Sequence, residues 1–256
     1  TTAPGRAGLH RSTGRVALQV NGLASAAKLK GVSFEVREGE IVGLAGLLGS
    51  GRTELLRAIY GLDPVVAGRI EIFGRHVADR SPRAMLRHGV GLAPEDRKKE
   101  GLVLDMSISN NLVLSSLHKV VRAFLLSRRR QAQLSRQAVA RVSVKLASLL
   151  DPVRALSGGN QQKVVLGKCL NADVKVLLLD EPTRGVDIEA KGQIYELLRR
   201  WVAQGAAVVV ASSETEELMH LCDRLLIMKD GAIAGERSVA RADLAEVMAV
   251  AMGGRH

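Results

Sequence analysis

Aromatic residues are nearly absent from this 256-residue chain, which holds one tryptophan, two tyrosines and three phenylalanines. The interior must therefore be built from Leu, Val, Ile and Ala, and few rings are left to stack on bases, which argues against a single-stranded nucleic-acid binder. Cysteine is almost as scarce. Cys169 and Cys222 have neither the spacing of a metal site nor that of a disulfide framework, and they read as reduced core residues of a cytosolic protein. Long hydrophobic runs are missing too. The longest, "VKVLLL" and "AAVVVA", are far shorter than the roughly 20 residues a membrane-spanning helix needs, so the chain reads as soluble.

Hydrophobic residues make up 46% of the sequence, enough for one large core with an inserted lobe. The formal charge of +11 invites an anionic partner, whether nucleotide phosphates, nucleic acid or a membrane surface. The basic runs, Arg97 to Lys99 and Arg128 to Arg130, are short and form no single stripe in the sequence.

Residues 1–14 are rich in Gly, Ser, Thr and Arg without apolar period, which predicts a flexible tail or linker. Next, "RVALQV", "GVSFEV" and "EIVGLAG" read as strands, with Gly39 turning the chain between the last two. The period then changes. "TELLRAIYG" puts Leu55, Leu56, Ile59 and Tyr60 on one helical face with Gly61 as C-cap, so strand, glycine loop and helix follow in order. "GRIEIFG" and "GVGLAPE" are further short strands, the second stopped by Pro94. From Ser107 to Leu150 the apolar residues recur at helical intervals, which predicts a mostly helical inserted lobe, about residues 102–165 in all. "VKVLLLD" and "AAVVVASS" have the continuous apolar character of parallel strands buried on both faces, and "AKGQIYELLRRWVAQG" is an amphipathic helix between them, closed by Gly205. The fold class is α/β, with a folded unit over residues 15–240 and a C-terminal helix and tail over 241–256.

The chemistry begins at "GLLGSGRT", Gly46 to Thr53. Its spacing is that of a phosphate-wrapping loop, G-x-x-x-x-G-K-[ST], with arginine in place of lysine. Gly46, Gly49 and Gly51, flanking Ser50, would let backbone amides converge on phosphate oxygens at a helix N-terminus; Arg52 supplies positive charge, and Thr53 a hydroxyl where Mg²⁺ would sit. A glycine turn packing helix on sheet would explain the glycines but would not require the threonine. "VLLLDE" ends an apolar strand in Asp180 and Glu181. Alone, the two acids would read as a helix cap beside Pro182; beside a phosphate loop they read as a metal-organising aspartate and a base for attacking water.

"LSGGNQQK" lies just upstream of that strand. Taken alone, its Ser-Gly-Gly is a flexible turn, or an anion-binding helix start built from Ser157, Gly158 and Gly159. With its order relative to the other motifs, it resembles the LSGGQ signature of ATP-binding cassette proteins, and "TRGVD", ending in Asp187, resembles their D-loop. The variants "GSGRTELLRAIYG", "PEDRKKEGLVLDMSISNNL", "ALSGGNQQK" and "DEPTRGVDIEAK" are similar to the second, C-terminal cassette of bacterial ribose, galactose and xylose importers, in which two cassettes are fused in one chain; the linker-like start without methionine agrees.

The resemblance implies a P-loop fold with a mainly parallel core sheet, an antiparallel β subdomain and an inserted helical subdomain. It implies ATP and Mg²⁺ as cofactors, held by Gly46, Gly49, Ser50, Gly51, Arg52, Thr53 and Asp180, with Glu181 catalytic, and a signature at Leu156, Ser157, Gly158, Gly159 and Asn160 acting on a partner cassette's nucleotide. It implies ATP hydrolysis coupled to sugar uptake, transmembrane permease subunits and, indirectly, a sugar-binding protein as partners, no nucleic acid, and a cytoplasmic place on the inner membrane face. A nucleoside or signalling-molecule importer, or a soluble nucleic-acid- or ribosome-associated cassette, is the alternative.

Three positions depart from an active cassette. Arg52 replaces the loop lysine, Glu95 the Q-loop glutamine and Ser213 the H-loop histidine. Guanidinium is too broad to repeat lysine's approach to phosphate, ionised Glu95 repels triphosphate unless a metal or Arg97 intervenes, and Ser213 is shorter than imidazole. His220 reads as a solvated helix residue. No aromatic residue precedes Phe34, so no ring is evident for stacking on adenine. The expectation is a loop that binds nucleotide better than it hydrolyses it.

Overall fold

The computed structural model describes residues 14–122 and 124–253. Apart from Gly14, the expected N-terminal linker lies outside the described residues, as do the last three residues of the C-terminal tail.

The chain opens with β1 (Val16–Ala24) and β2 (Val32–Arg37), paired antiparallel, then turns at Gly39 (φ +78°) into β3 (Ile41–Ala45), which is buried throughout. The glycine loop leads into α1 (Arg52–Tyr60). Gly61 ends this helix in a left-handed conformation (φ +82°), and the Leu62 amide donates back to the Arg57 carbonyl, as the C-cap reading requires. β4 (Ala67–Ile72) returns to pair with β1, and β5 (Arg75–His76) forms a hairpin with it. This completes an antiparallel sheet in the order β2-β1-β4-β5. α2 (Pro82–Arg87), capped by the Ser81 hydroxyl, precedes β6 (Val90–Ala93).

The lobe that follows contains α3 (Ile108–Val113), α4 (Leu117–Val120), a tight hairpin of β7 (Val121–Arg122) and β8 (Leu125–Leu126), α5 (Arg128–Val142) and α6 (Gly158–Asn171). The hairpin interrupts a stretch expected to be mostly helical. Ser127 is the physical reason: its amide donates to the Val120 carbonyl at 2.8 Å and its hydroxyl caps α5, so the chain must reverse between the two contacts.

β9 (Val176–Asp180), α7 (Ile188–Ala203), β10 (Ala207–Ala211), α8 (Thr215–Leu221), β11 (Arg224–Lys229), β12 (Ala232–Ser238) and α9 (Leu244–Met252) complete the described chain. The second sheet has the order β12-β11-β3-β10-β9-β6, and every neighbouring pair is parallel except β11 with β12. α7 begins before the expected "AKGQ" because Asp187 caps it, accepting from the Ala190 amide at 2.8 Å.

The continuous apolar runs of β9 and β10 are explained by two cores. Leu177, Leu179, Val208 and Val210 face the helices α6 and α7, while Val176, Leu178 and Val209 face α1 and the antiparallel sheet. Each fully buried Leu or Val contributes roughly 1.5–3 kcal/mol. Cys169 and Cys222 are free, buried thiols in the first of these cores. The register places Asp180 beside Ala211 and Ala211 beside Leu44. The carboxyl ends of β3, β9 and β10 thus deliver the glycine loop, the two acids and Ser212–Ser213 to one edge, where open parallel sheets bind ligands.

Candidate functional site

At that edge a cavity of about 260 Å³ is lined by Leu48 to Glu54, Glu95, Glu181, Arg184, Ser213 and Glu214. Gly49 (φ +78°) and Gly51 (φ +104°) hold backbone conformations that side chains resist, and Gly51 also lies 3.1 Å, measured from where a Cβ would stand, from the Cα of Gly231. Among the described residues, the amides of Gly51, Arg52, Thr53 and Glu54 have no acceptor, and no side chain caps α1. Four unpaired donors at a positive helix end are what a phosphate would satisfy. The buried Ser50 hydroxyl likewise has no partner. Gly46 does not line the cavity; a Cβ there would meet the Met228 carbonyl oxygen at 2.5 Å and Ser50 Oγ at 2.6 Å, so its reason is close packing.

Thr53 Oγ1 donates to Asp180 Oδ1 at 3.2 Å. Burial pushes the Asp180 carboxyl up to about 6, against the lowering effect of that hydrogen bond. A hydroxyl and a desolvated carboxylate in contact are hard oxygen donors suited to Mg²⁺, which this pair fits. Glu181 follows in a left-handed conformation (φ +46°), its amide donating to the Ala211 carbonyl at 2.9 Å. Ser213 Oγ donates to Glu181 Oε2 at 3.1 Å, and Arg52 Nη2 stands 3.8 Å from Oε1. Burial raises the Glu181 pKa, and the Ser213 hydrogen bond and the Arg52 charge oppose the rise.

Arg52 is buried, and its Nη1 donates to the Ser212 carbonyl. Its charge is therefore directed to the strand end and Glu181. Glu95 is neutralised by Arg184, not by Arg97 as the sequence reading allowed. Arg97 is held elsewhere: it donates to the carbonyls of Arg184 (2.8 Å) and Gly185 (3.4 Å), because a partly desolvated guanidinium takes the nearest carbonyl acceptors. Four carboxylates, Glu54, Glu95, Glu181 and Glu214, line the cavity against two arginines. Its side chains alone would repel a triphosphate, so attraction rests on the amides and a metal. None of the lining residues is aromatic.

The segment that resembles the signature stands apart. None of Leu156 to Asn160 lines the cavity. The exposed Ser157 caps α6, its hydroxyl accepting from the Asn160 amide at 3.4 Å and from Asn160 Nδ2 at 3.1 Å, while Asn160 Oδ1 accepts from the Lys145 amide at 2.9 Å. Both glycines have a packing reason. A Cβ on Gly158 would stand 2.9 Å from the Gly185 carbonyl oxygen and one on Gly159 2.5 Å from Ala190 Cβ, so the segment sits directly on the loop at 183–187. Leu156 is half-buried against the core, and Asp187 serves that loop as the cap of α7.

A group missed in the sequence lies beneath this edge. The buried Glu217 carboxylate accepts from Thr183 Oγ1 (2.7 Å), Tyr195 Oη (3.0 Å) and Ser212 Oγ (2.7 Å), joining the 183–187 loop, α7 and the end of β10. Its place on the buried face of α8 with Leu218 and Leu221 was the available signal. His220 is exposed, as expected, its ring 5.9 Å from that of Tyr195.

Comparison with known proteins agrees with this geometry. Residues 29–184 match the family model described as ABC transporter. The chain is 46% identical over 240 residues to a ribose import ATP-binding protein of Streptomyces avermitilis, covering 94% of this chain and 46% of that protein. It is 44% identical over 241 residues to a putative ribose/galactose/methyl galactoside import ATP-binding protein of Burkholderia lata, covering 94% and 47%. The chain thus spans about half the length of the curated relatives it matches. Among solved structures, the ATP-binding cassette MJ1267 in its ADP conformation superposes with a TM-score of 0.74 at 20% identity, covering 93% of this chain and 99% of that one. A nucleotide-free cassette from an ABC transporter gives 0.76 at 20%, covering 93% and 99%. The fold is that of these cassettes, and the chain belongs to the ABC transporter family as an ATP-binding cassette.

Proposed function

We propose that this chain is the second, C-terminal cassette of a two-cassette ATPase that energises sugar import in a bacterium, of the ribose or galactose kind named in its relatives. The observation that carries the reading is the separation of the cavity from the signature: the phosphate loop and acids meet at one edge, and Ser157 is exposed elsewhere. Two such half-sites in one chain are complementary only to those of another cassette. The coverage of about half of each relative supports a partner cassette fused in the same polypeptide.

In this reading the orphan amides of α1 hold the phosphates of ATP, and Thr53 and Asp180 hold Mg²⁺. The metal supplies neutralisation of charge on the phosphate oxygens. Glu181, kept in place by Ser213, orients water as the base, while Arg52, committed to Ser212 and Glu181, cannot repeat a lysine's contact; this half-site binds more than it hydrolyses. The Ser157-Gly158-Gly159 segment completes the partner's hydrolytic site, with Asp187 between them. The other partners are transmembrane permease subunits and, through them, a sugar-binding protein; the place is the cytoplasmic membrane face, and nucleic acid is not a partner. Among the described residues no helix is long and apolar enough to cross a membrane.

The test is Ser157→Arg in the whole transporter. ATP turnover and sugar uptake are lost although this chain's own loop is intact; normal uptake would refute the reading.

A further inference from the structure

The lobe between β6 and β9 holds an unusual charge distribution. From Met106 to Leu150, 45 residues, the sequence contains eight lysines and arginines and no carboxylate. This stretch alone accounts for +8 of the formal +11 and leaves the rest of the chain near balance. Two of the eight are paired with acids from outside it, Lys119 with Asp173 and Lys145 with Glu189. The other six, Arg122, Arg128, Arg129, Arg130, Arg136 and Arg141, are exposed, and among the described residues none has a carboxylate partner. The Arg97 to Lys99 run does not join them, because Arg97 is spent on carbonyls and Lys99 on Asp96. The basic runs that look scattered in the sequence are thus sorted by the fold.

α5 explains the sorting. Gln131, Ser135, Ala138 and Val142 are its buried stripe, so Arg129, Arg130, Arg136 and Arg141 project from the opposite half of the helix. The β7–β8 hairpin runs directly into the N-terminus of α5, held there by the Ser127 amide on the Val120 carbonyl. Its apolar side chains are uncovered: Phe124 is 101% exposed, Leu125 74% and Leu126 47%. A fully exposed ring is not in a groove; it stands on a convex tip.

We propose that this tip and the arginines beside it form a contact site for an anionic phospholipid surface, the hairpin side chains entering the headgroup region while the guanidiniums meet lipid phosphates. The chemistry favours lipid over the other polyanions. Double-stranded nucleic acid would use the arginines and leave three large apolar side chains in water, whereas a bilayer interface accepts both. A peptide partner would need a concave apolar site; the lobe's apolar groove, lined by Val139, Leu146 and Leu150 with Arg136 at its side, includes no residue of the hairpin, whose tip is convex. The inference stands on the lobe's charge and exposure and is independent of what the cassette energises.

The experiment is co-sedimentation of the chain with vesicles of phosphatidylglycerol and phosphatidylcholine, against phosphatidylcholine alone. The chain is expected to bind only the anionic vesicles. Arg129→Gln/Arg130→Gln/Arg136→Gln should weaken binding on the order of a hundredfold, at roughly fivefold per arginine near such a surface. Arg75→Gln/Arg83→Gln/Arg87→Gln removes the same charge from exposed positions elsewhere and should weaken it several-fold at most. Phe124→Ser/Leu125→Ser should abolish the fraction that survives added salt. All these side chains are exposed, and an unchanged circular-dichroism melt checks the fold. Absence of anionic-vesicle binding overturns the proposal, as does equal loss from the two arginine triplets, which would mean diffuse net charge. Tighter binding to duplex DNA than to vesicles, with the Phe124/Leu125 variant unaffected, would overturn it in favour of nucleic acid.

Discussion

Glu217→Gln is nearly isosteric, yet it should be among the costlier single changes in this chain. The carboxylate offers two oxygens to three buried hydroxyls, with Thr183 and Tyr195 on Oε1 and Ser212 on Oε2. A glutamine keeps one oxygen and replaces the other by a donor. If that oxygen serves Thr183 and Tyr195, Ser212 Oγ loses its acceptor and must turn, while it already accepts the Glu214 amide at 3.1 Å. A hydrogen bond to a charged group is worth about 1.5–3 kcal/mol, and a buried donor left unpaired costs a similar amount. The expected loss is about 2 kcal/mol, or a fall in Tm of roughly 4–8 °C for a chain of this size. Differential scanning fluorimetry with urea denaturation as a second probe measures it. A double-mutant cycle with Ser212→Ala should return a coupling of about 1 kcal/mol or more. Because Ser212 also holds Arg52 through its carbonyl, the damage should reach the cavity. A Glu217→Gln protein melting within a degree of the parent, with no coupling to Ser212, would refute the reasoning.

Two further outcomes follow from the same edge. Glu95→Gln removes one of four lining carboxylates and frees Arg184, so Mg²⁺·ATP affinity should rise about fivefold, from roughly 1 kcal/mol of relieved repulsion; fluorescence titration with a labelled nucleotide checks it, and weaker binding would contradict it. Asp180→Asn should stabilise the chain in chelator at neutral pH. The folded carboxyl has its pKa raised to about 6 from 3.8, so its contribution is favourable below the unfolded value and is lost as pH rises from about 4 through 6, by up to ~3 kcal/mol. Melting the variant and parent at pH 4 and pH 7.5 should show the gain only at the higher pH.

The parallel strands were legible because burial on both faces leaves an uninterrupted apolar signature, as in "VKVLLL" and "AAVVVA". Gly39 and Gly61 were legible because turns and caps demand their backbone freedom. The β7–β8 hairpin was not: Val121, Arg122, Leu125 and Leu126 fit helical spacing, and only the long reach of Ser127 to Val120 decides otherwise. That the loop glycines, Thr53, Asp180 and Glu181 come together could be read from spacing, since they stand at two strand ends of one sheet. Which arginine meets Glu95 could not, because Arg97 and Arg184 are both eligible by charge and only the packing of the 183–187 loop selects between them. Nor could the second reason for Gly158 and Gly159, which is the approach of Gly185 and Ala190 from a distant element.

The central claim is that the chain's own loop holds nucleotide through the unpaired amides ahead of α1, while its signature segment serves another cassette. Isothermal titration of the isolated chain with Mg²⁺ and a non-hydrolysable ATP analogue tests it most directly, comparing the parent with Thr53→Val and Ser157→Arg. The account predicts one site per chain, weakened at least tenfold by Thr53→Val and unchanged by Ser157→Arg, since Ser157 lies outside the cavity. Loss of binding through Ser157→Arg, or no binding by the parent at all, would contradict it.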